Sequence, residues 1–162
     1  MTQSILAIDP GPIESGYVVM RDGKVSRCGL ATNSAIGILL NGFSFRTRLK
    51  EPLPLIAIEM IACYGMPVGA EVFETCLWIG EFRRIMRPHP VTLCYRKDIK
   101  LHLCGTTKAK DPNVRQALID RLGKPGTKKN PGPTYGIKSH VWAALAVAVY
   151  AADQLTKANH PT

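Results

Sequence analysis

No stretch of the sequence approaches the ~20 uninterrupted apolar residues that a membrane-spanning helix needs, so no membrane partner is expected. A secretory leader is not expected either, because Asp9 and Glu14 interrupt what would be its apolar segment. Cysteines are few: Cys28, Cys63, Cys76, Cys94 and Cys104 are odd in number and include no C-x-x-C pair. That argues against a disulfide framework and a structural zinc site, and most of these thiols lie in apolar runs where they pack as small hydrophobes. A reducing, cytoplasmic setting is the expectation. Internal repeats and domain-sized linkers are also lacking. Acidic residues are scarce, 12 against 21 basic, for a formal charge of +9. The basic excess is concentrated between Arg83 and Lys138 and favours polyanions, although a merely soluble basic surface would carry the same charge.

What is present suits one folded unit. With 162 residues and 46% apolar content the chain can bury one substantial core, and a single domain spanning 1–162 is expected. The run "ILAID" reads as a buried strand; "GYVVM" and "KVSRCG", joined at Asp22-Gly23, read as two further strands in a tight hairpin. In "TNSAIGILLNGF", Ser34 or Asn33 would cap a short helix weakened by Gly37 and Gly42. A proline-marked polar connection over 46–54 precedes a second buried strand, Leu55 to Met60. Apolar spacing at Val72, Phe73, Cys76, Leu77, Ile79 and Phe82 predicts a helix over Ala70 to Met86, with part of its broad apolar face left for a partner. Val91 to Arg96 reads as a third core-type strand, followed by a short helix closed by Gly105. Further on, Asp111 as N-cap and Pro112 at the first helical position open a helix that ends at Gly123. The segment "KPGTKKNPGPTYGIK" is a loop too rich in breakers for regular structure. Ser139 would cap a final, strongly apolar helix. Trp78 and Trp142 fall on apolar helix faces, as core or dimer contacts. Three sequential strands and then strands alternating with helices indicate an α/β fold, a mixed sheet with helices on its faces.

Two of these core strands end in a lone acid, Asp9 and Glu59, which suggests that the two converge at one edge of the sheet. Taken alone, Asp9 before Pro-Gly reads equally as a turn-forming residue. Clustered carboxylates repel one another, and the usual compensation is a divalent cation, with oxygen ligands suiting Mg2+ or Mn2+. Two such ions can stabilise the attacking and the leaving oxygen of a phosphodiester. His140, at the start of the final helix, is well placed as a third ligand, or it merely caps that helix.

"AIDPGPIESGYVV", "LIAIEM" and "KSHVWAALAVAV" resemble, in order and spacing, the first, second and last active-site motifs of the RuvC-type Holliday-junction resolvases, which have a ribonuclease H-like fold. The resemblance runs over nearly the whole chain. It implies a homodimer that binds four-way DNA junctions and nicks two strands symmetrically by magnesium-dependent hydrolysis, with manganese as a substitute. Asp9 then matches the acid ending the first strand, bridging the metals and holding the attacking water. Glu59 matches the second acid, and His140 falls where the family has Asp or His. One turn further on, where the family has another acid, this chain has Ala143. Residues three apart share a helix face, so the resemblance implies a catalytic set of Asp9, Glu59, His140 and position 143 in which the methyl of Ala143 supplies no ligand.

Two explanations of Ala143 compete. Either the chain is a natural pseudo-nuclease that keeps junction binding, or the alanine stands in place of a native aspartate; the otherwise intact motif favours the second. Such resolvases place an aromatic just after the second acid to stack in the opened junction; here Tyr64, ahead of Phe73, could serve, at a spacing that differs from the family's. Lys97, Lys100, Lys108, Lys110, Arg115, Lys124, Lys128, Lys129 and Lys138 could neutralise phosphates without reading sequence. A non-catalytic junction-binding protein and a RuvC-like RNA-processing nuclease remain as alternatives. An actin-like ATPase would need glycine-rich phosphate loops in two large domains, and the chain is too short for both.

Overall fold

Five strands form one sheet in the order β3-β2-β1-β4-β5. In the computed structural model, which describes residues 4–48 and 53–159, these are β1 (Ser4–Asp9), β2 (Glu14–Arg21), β3 (Lys24–Thr32), β4 (Leu55–Met60) and β5 (Val91–Tyr95). The helices are α1 (Asn33–Arg48), α2 (Ala70–Met86), α3 (Arg96–Cys104), α4 (Asp111–Leu122) and α5 (Val141–Asn159). β1, β2 and β3 pair antiparallel, whereas β4 runs parallel to β1 and β5 parallel to β4. The expected mixed sheet is therefore present. The polar connection expected over 46–54 lies largely outside the described residues.

Both faces of the sheet are covered, which explains why β1 and β4 read as unbroken apolar runs rather than alternating ones. Leu6, Ile8, Val19, Ile56 and Ile58 pack with Ile36 and Leu40 of α1 and Ile79, Phe82 and Met86 of α2. The alternate set, Ile5, Ala7, Val18, Met20, Ala57 and Cys94, packs against α5, joined by Ile99, Val114 and Leu118 of α3 and α4. Small residues on this second face, Ala7 and Ala57 on the strands and Ala144 and Ala148 on α5, are fully buried, so helix and sheet approach closely.

Several boundaries differ from the sequence reading. α1 runs to 16 residues instead of stopping near Gly42, because packing on α2 and the sheet outweighs the glycine cost. Its start is capped by Thr32, whose Oγ1 accepts from the Ala35 amide at 3.3 Å, and neither Ser34 nor Asn33 has that role. Arg96 opens α3 and does not end β5. Asp111 is the first helical residue of α4, with Lys110 before it, and the Lys110 amide donates to Asn113 Oδ1 at 2.9 Å. Ser139 is no N-cap: its φ of +45° puts it in a left-handed turn, and α5 begins at Val141. The segment 124–138 has only an isolated bridge between Gly126 and Pro131, yet buried Thr134 ties it to the Gly123 carbonyl at 2.8 Å. No helix among the described residues is long and apolar enough to cross a membrane.

Candidate active site

The parallel register pairs Ile8 with Ile58, so the next residues, Asp9 and Glu59, end adjacent strands side by side. Side chains alternate along a strand. Asp9 is in phase with Ile5 and Ala7, Glu59 with Ala57, and all of these face α5. β5 pairs with β4 at Glu59 and Cys94, and the chain turns into α3 at Arg96, two residues beyond buried Cys94. Asp9, Glu59, Arg96, Asp111, Ser139, His140 and Ala143 line one open pocket of about 470 Å³.

Each lining residue is held by a local device. After Asp9 the chain turns through Pro10, Gly11 and Pro12, where a side chain at Gly11 would lie 2.4 Å from the Glu14 carbonyl oxygen. Buried Asn33 fixes this turn: its Nδ2 donates to the Gly11 carbonyl at 2.9 Å, and its Oδ1 accepts from Ser15 Oγ at 2.6 Å. Gly16 lies opposite Asp9 across the β1–β2 ladder, and a Cβ on it would stand 2.7 Å from the His140 carbonyl oxygen. The missing side chain is what lets the start of α5 rest on β2. His140 consequently reaches Asp9, with Nδ1 3.1 Å from Oδ2. An ionised carboxylate only accepts hydrogen bonds, so toward the ionised acid Nδ1 carries the hydrogen.

The electrostatics of the pocket are unbalanced. Burial pushes the Asp9 carboxyl above its ordinary range, against the pull of His140 and Arg96. Burial, and then the neighbouring charge of Asp9, push Glu59 up to about 7, with Arg96 opposing. Arg96 reaches Glu59 at 3.5 Å and also ion-pairs with Asp111. Burial works against its charge, but Glu59 and Asp111 hold the guanidinium above its usual value. One cation shared among three acids leaves the pocket short of positive charge, and oxygen donors in that condition fit a hard divalent cation. No group of three or more His, Cys, Asp or Glu side chains among the described residues is already arranged to hold a metal ion.

Of the residues singled out in the sequence, Asp9, Glu59, His140 and Ala143 come together. None of the basic residues singled out in the sequence lines the pocket. Tyr64, 60% exposed in the loop after β4, lies under Lys97, whose Nζ is 5.9 Å from the ring centre. Arg115, one turn along α4 from Asp111, stacks over Trp142 at 4.8 Å, so Trp142 faces a cation as well as the core. Lys108, Lys110 and Lys138 are exposed on the segments leading into α4 and α5, and Lys100 is half-buried on α3. Lys124 is different. It follows the end of α4 remote from the pocket, roughly 18 Å along that 12-residue helix, where Arg121 and Leu122 meet the Asp22-Gly23 hairpin tip. Lys128 and Lys129 are exposed in the loop that begins there. The sequence reading missed Arg96 and Asp111 as members of the site. The available signal was that Arg96 is in phase with Cys94; Asp111 gave none, because only the packing of α4 on α5 brings it in.

No protein-family model matches the chain, and no curated protein matches it in sequence. Solved structures match it in shape. A Thermus thermophilus RuvC structure matches with a TM-score of 0.67 at 17% identity, over 96% of this chain and 97% of that one. T. thermophilus RuvC in complex with Holliday junction substrate matches with a TM-score of 0.67 at 15% identity, over 94% of each chain. Together with the strand order these matches show the expected fold, RuvC-type and ribonuclease H-like.

Proposed function

We propose that this RuvC-type domain is a structure-selective endonuclease, which binds four-way DNA junctions as a homodimer and nicks them with the help of a divalent cation. The carrying observation is the convergence of Asp9 and Glu59 from adjacent strands, with His140 bonded to Asp9, in a pocket short of positive charge. Among the similar structures, one solved with a Holliday junction suggests the substrate class.

In this reading Asp9, Glu59 and His140 hold the cation, magnesium or manganese. When bound, such an ion activates water and stabilises the oxygens of the phosphodiester. The carboxylate of Asp9 orients the water; in the ion-free pocket the His140 Nδ1–H fixes that carboxylate's rotamer, and the imidazole would turn from Asp9 to the ion when one binds. Lys97, Lys108, Lys110, Arg115 and Lys138 would neutralise phosphates on either side, and Tyr64 offers a stacking face beside Lys97. For the dimer, α1 and α2 expose Ile38, Phe73 and Leu77 at 74%, 61% and 68%, apolar side chains that a second copy would cover. The whole chain, 1–162, would act as one domain in the cytoplasm.

A second reading, a junction-binding protein without catalysis, is favoured by one observation: Ala143 lines the pocket with a methyl group. The test uses a labelled four-way junction and a linear duplex of the same sequence. Preference for the junction, with affinity falling about 10³–10⁵-fold between 50 and 200 mM salt, and nicking that needs magnesium or manganese, are the expected results. Equal affinity for both DNAs removes the junction assignment. Selective binding without nicks in either metal leaves the non-catalytic reading.

A further inference from the structure

We propose that the groove between α1 and the outer strands β2 and β3 binds a nucleoside phosphate, at a site separate from the acidic pocket. The two sites lie on opposite faces of the sheet: Tyr17 and Val19 pack with the α1 and α2 side of the core, whereas Asp9 is in phase with residues that face α5. The inference therefore stands apart from the nuclease reading, and its test does not use nicking.

The groove has a volume of about 450 Å³. Val19, Leu39 and Phe43 give it an apolar side, and Arg21 of β2, Arg27 of β3 and Arg46 of α1 line it as well. None of the described residues that line it is acidic. Three guanidiniums from three elements thus border one space. A phosphomonoester carries about −1.5 to −2 charge near pH 7 and offers the oxygens that a guanidinium fork binds in pairs, so it answers this charge better than a single carboxylate does. The volume falls in the range of small-molecule sites, and the apolar side would cover a sugar and base. A duplex presents its phosphates on a convex surface, so it would touch the guanidiniums and leave Val19, Leu39 and Phe43 uncovered.

Three local devices shape the groove. The β2–β3 ladder pairs Val19 with Arg27 but Met20 with Val25, so Ser26 is an extra residue and β3 is bulged there. Consecutive strand residues ordinarily point to opposite faces; the bulge brings both Ser26 and Arg27 to the groove. Ser26 Oγ donates to the Val19 carbonyl at 3.0 Å, which ties the bulge to β2. Arg27 is held from below by buried Tyr17: its Nε donates to the Tyr17 hydroxyl at 3.1 Å, and its Cζ lies 5.8 Å from the ring centre. Tyr17 in turn lies against Gly29, where a Cβ would stand 3.4 Å from the ring. The bond to Tyr17 uses Nε alone, so the two terminal nitrogens of an oriented guanidinium are left for a ligand. The third device is Gly42. A glycine inside a helix costs stability, and no close contact requires one here, since a Cβ at Gly42 would meet nothing within 4 Å. Gly42 lines the groove, and a larger side chain there would occupy it.

Isothermal titration calorimetry on the full chain tests the site with deoxyadenosine 5′-monophosphate, deoxyadenosine and inorganic phosphate at one ionic strength. The monophosphate should bind at least tenfold more tightly than either of the other two. Arg27→Gln and Gly42→Leu should each weaken it at least tenfold, the first by removing the oriented fork and the second by filling the groove, with the fold of both verified by circular dichroism. Gly42→Leu keeps every charge, so its loss separates a shaped groove from a basic surface. The double variant Lys128→Gln/Lys129→Gln removes two charges elsewhere and should bind the monophosphate within threefold of the parent. Monophosphate binding no tighter than that of inorganic phosphate, or weakened as much by the lysine variant as by Arg27→Gln, overturns the proposal in favour of general basicity. If the parent binds no monophosphate while Arg27→Gln and Gly42→Leu both lower junction affinity, the groove belongs to the DNA backbone and the proposal is overturned equally.

Discussion

Two clusters of acid, arginine and histidine in this molecule are built from the same residue types, and their acids end in opposite electrostatic states. On the α3–α5 side, Asp153 accepts two bonds from Arg121 at 2.6 and 2.5 Å and lies 2.6 Å from His102 Nε2. Burial alone would raise its carboxyl, but these hydrogen bonds carry it below its ordinary range. At the ends of β1 and β4, burial dominates instead, and Asp9 and Glu59 are both raised. The difference lies in the partners. Asp153 faces a bidentate guanidinium and an imidazole alone, whereas Arg96 is divided between Glu59 and Asp111, and Asp9 has the His140 imidazole and no guanidinium of its own. An acid with its own partners holds helices together; acids left short of counter-charge are the ones that, in the proposed reading, would receive a cation.

The largest effect that sharpens this contrast is on activity. Asp9→Asn should lower nicking by at least ~10³-fold, about 4 kcal/mol of transition-state stabilisation, while Asp153→Asn should leave the nicking rate per folded molecule unchanged. Parallel single-turnover assays check it, and equal losses in both variants would erase the distinction.

Next is the pH dependence of stability, where the two clusters carry opposite signs. Glu59 keeps its proton in the folded state up to about 7, against an ordinary value of 4.5. Stability from this group is therefore complete below pH 4.5 and is lost as pH rises through 7, by up to ~3 kcal/mol at 1.36 kcal/mol per unit. The lowered Asp153 contributes stability that is present above its unfolded value and is lost as pH falls through its folded value. Melting temperatures of the metal-free protein between pH 5 and 8 should fall, and Glu59→Gln should flatten that slope. Manganese should counteract the loss at pH 8. An unchanged slope in Glu59→Gln would contradict the assignment.

Gly16→Ala tests how the pocket is assembled. A methyl group 2.7 Å from the His140 carbonyl oxygen must push α5 off β2, at a cost of about 1–3 kcal/mol, and should separate His140 from Asp9. Reduced nicking together with a lower melting temperature is expected, and a variant as stable and as active as the parent would show the approach to be looser. The smallest effect expected is the structural counterpart: Asp153→Asn should cost about 1–2 kcal/mol by denaturant unfolding, through weakened bonds from Arg121 and His102.

What could be read from one sequence follows what is periodic or punctuated. The apolar runs of β1 and β4, the Asp22-Gly23 hairpin, the span of α2 and the Gly105 stop of α3 are all local signals, and the structure has them where they were expected. Asp9 and Glu59 were legible because each ends such a run, and His140 because it opens the most apolar helix of the chain. Local signals put the start of α4 one residue late, with Asp111 as a mere cap, and put Arg96 in a strand that stops just before it. Strand order, sheet register and the packing of α4 on α5 then decided which charges meet. Those are sums over contacts distant in sequence, such as Gly16 under His140 and Arg96 between Glu59 and Asp111. Local periodicity determined that two strands end in acids. Only close packing around a twisted sheet decided that an arginine and a third acid from another helix stand beside them, because that proximity depends on how helices seat on the sheet and not on any spacing along the chain.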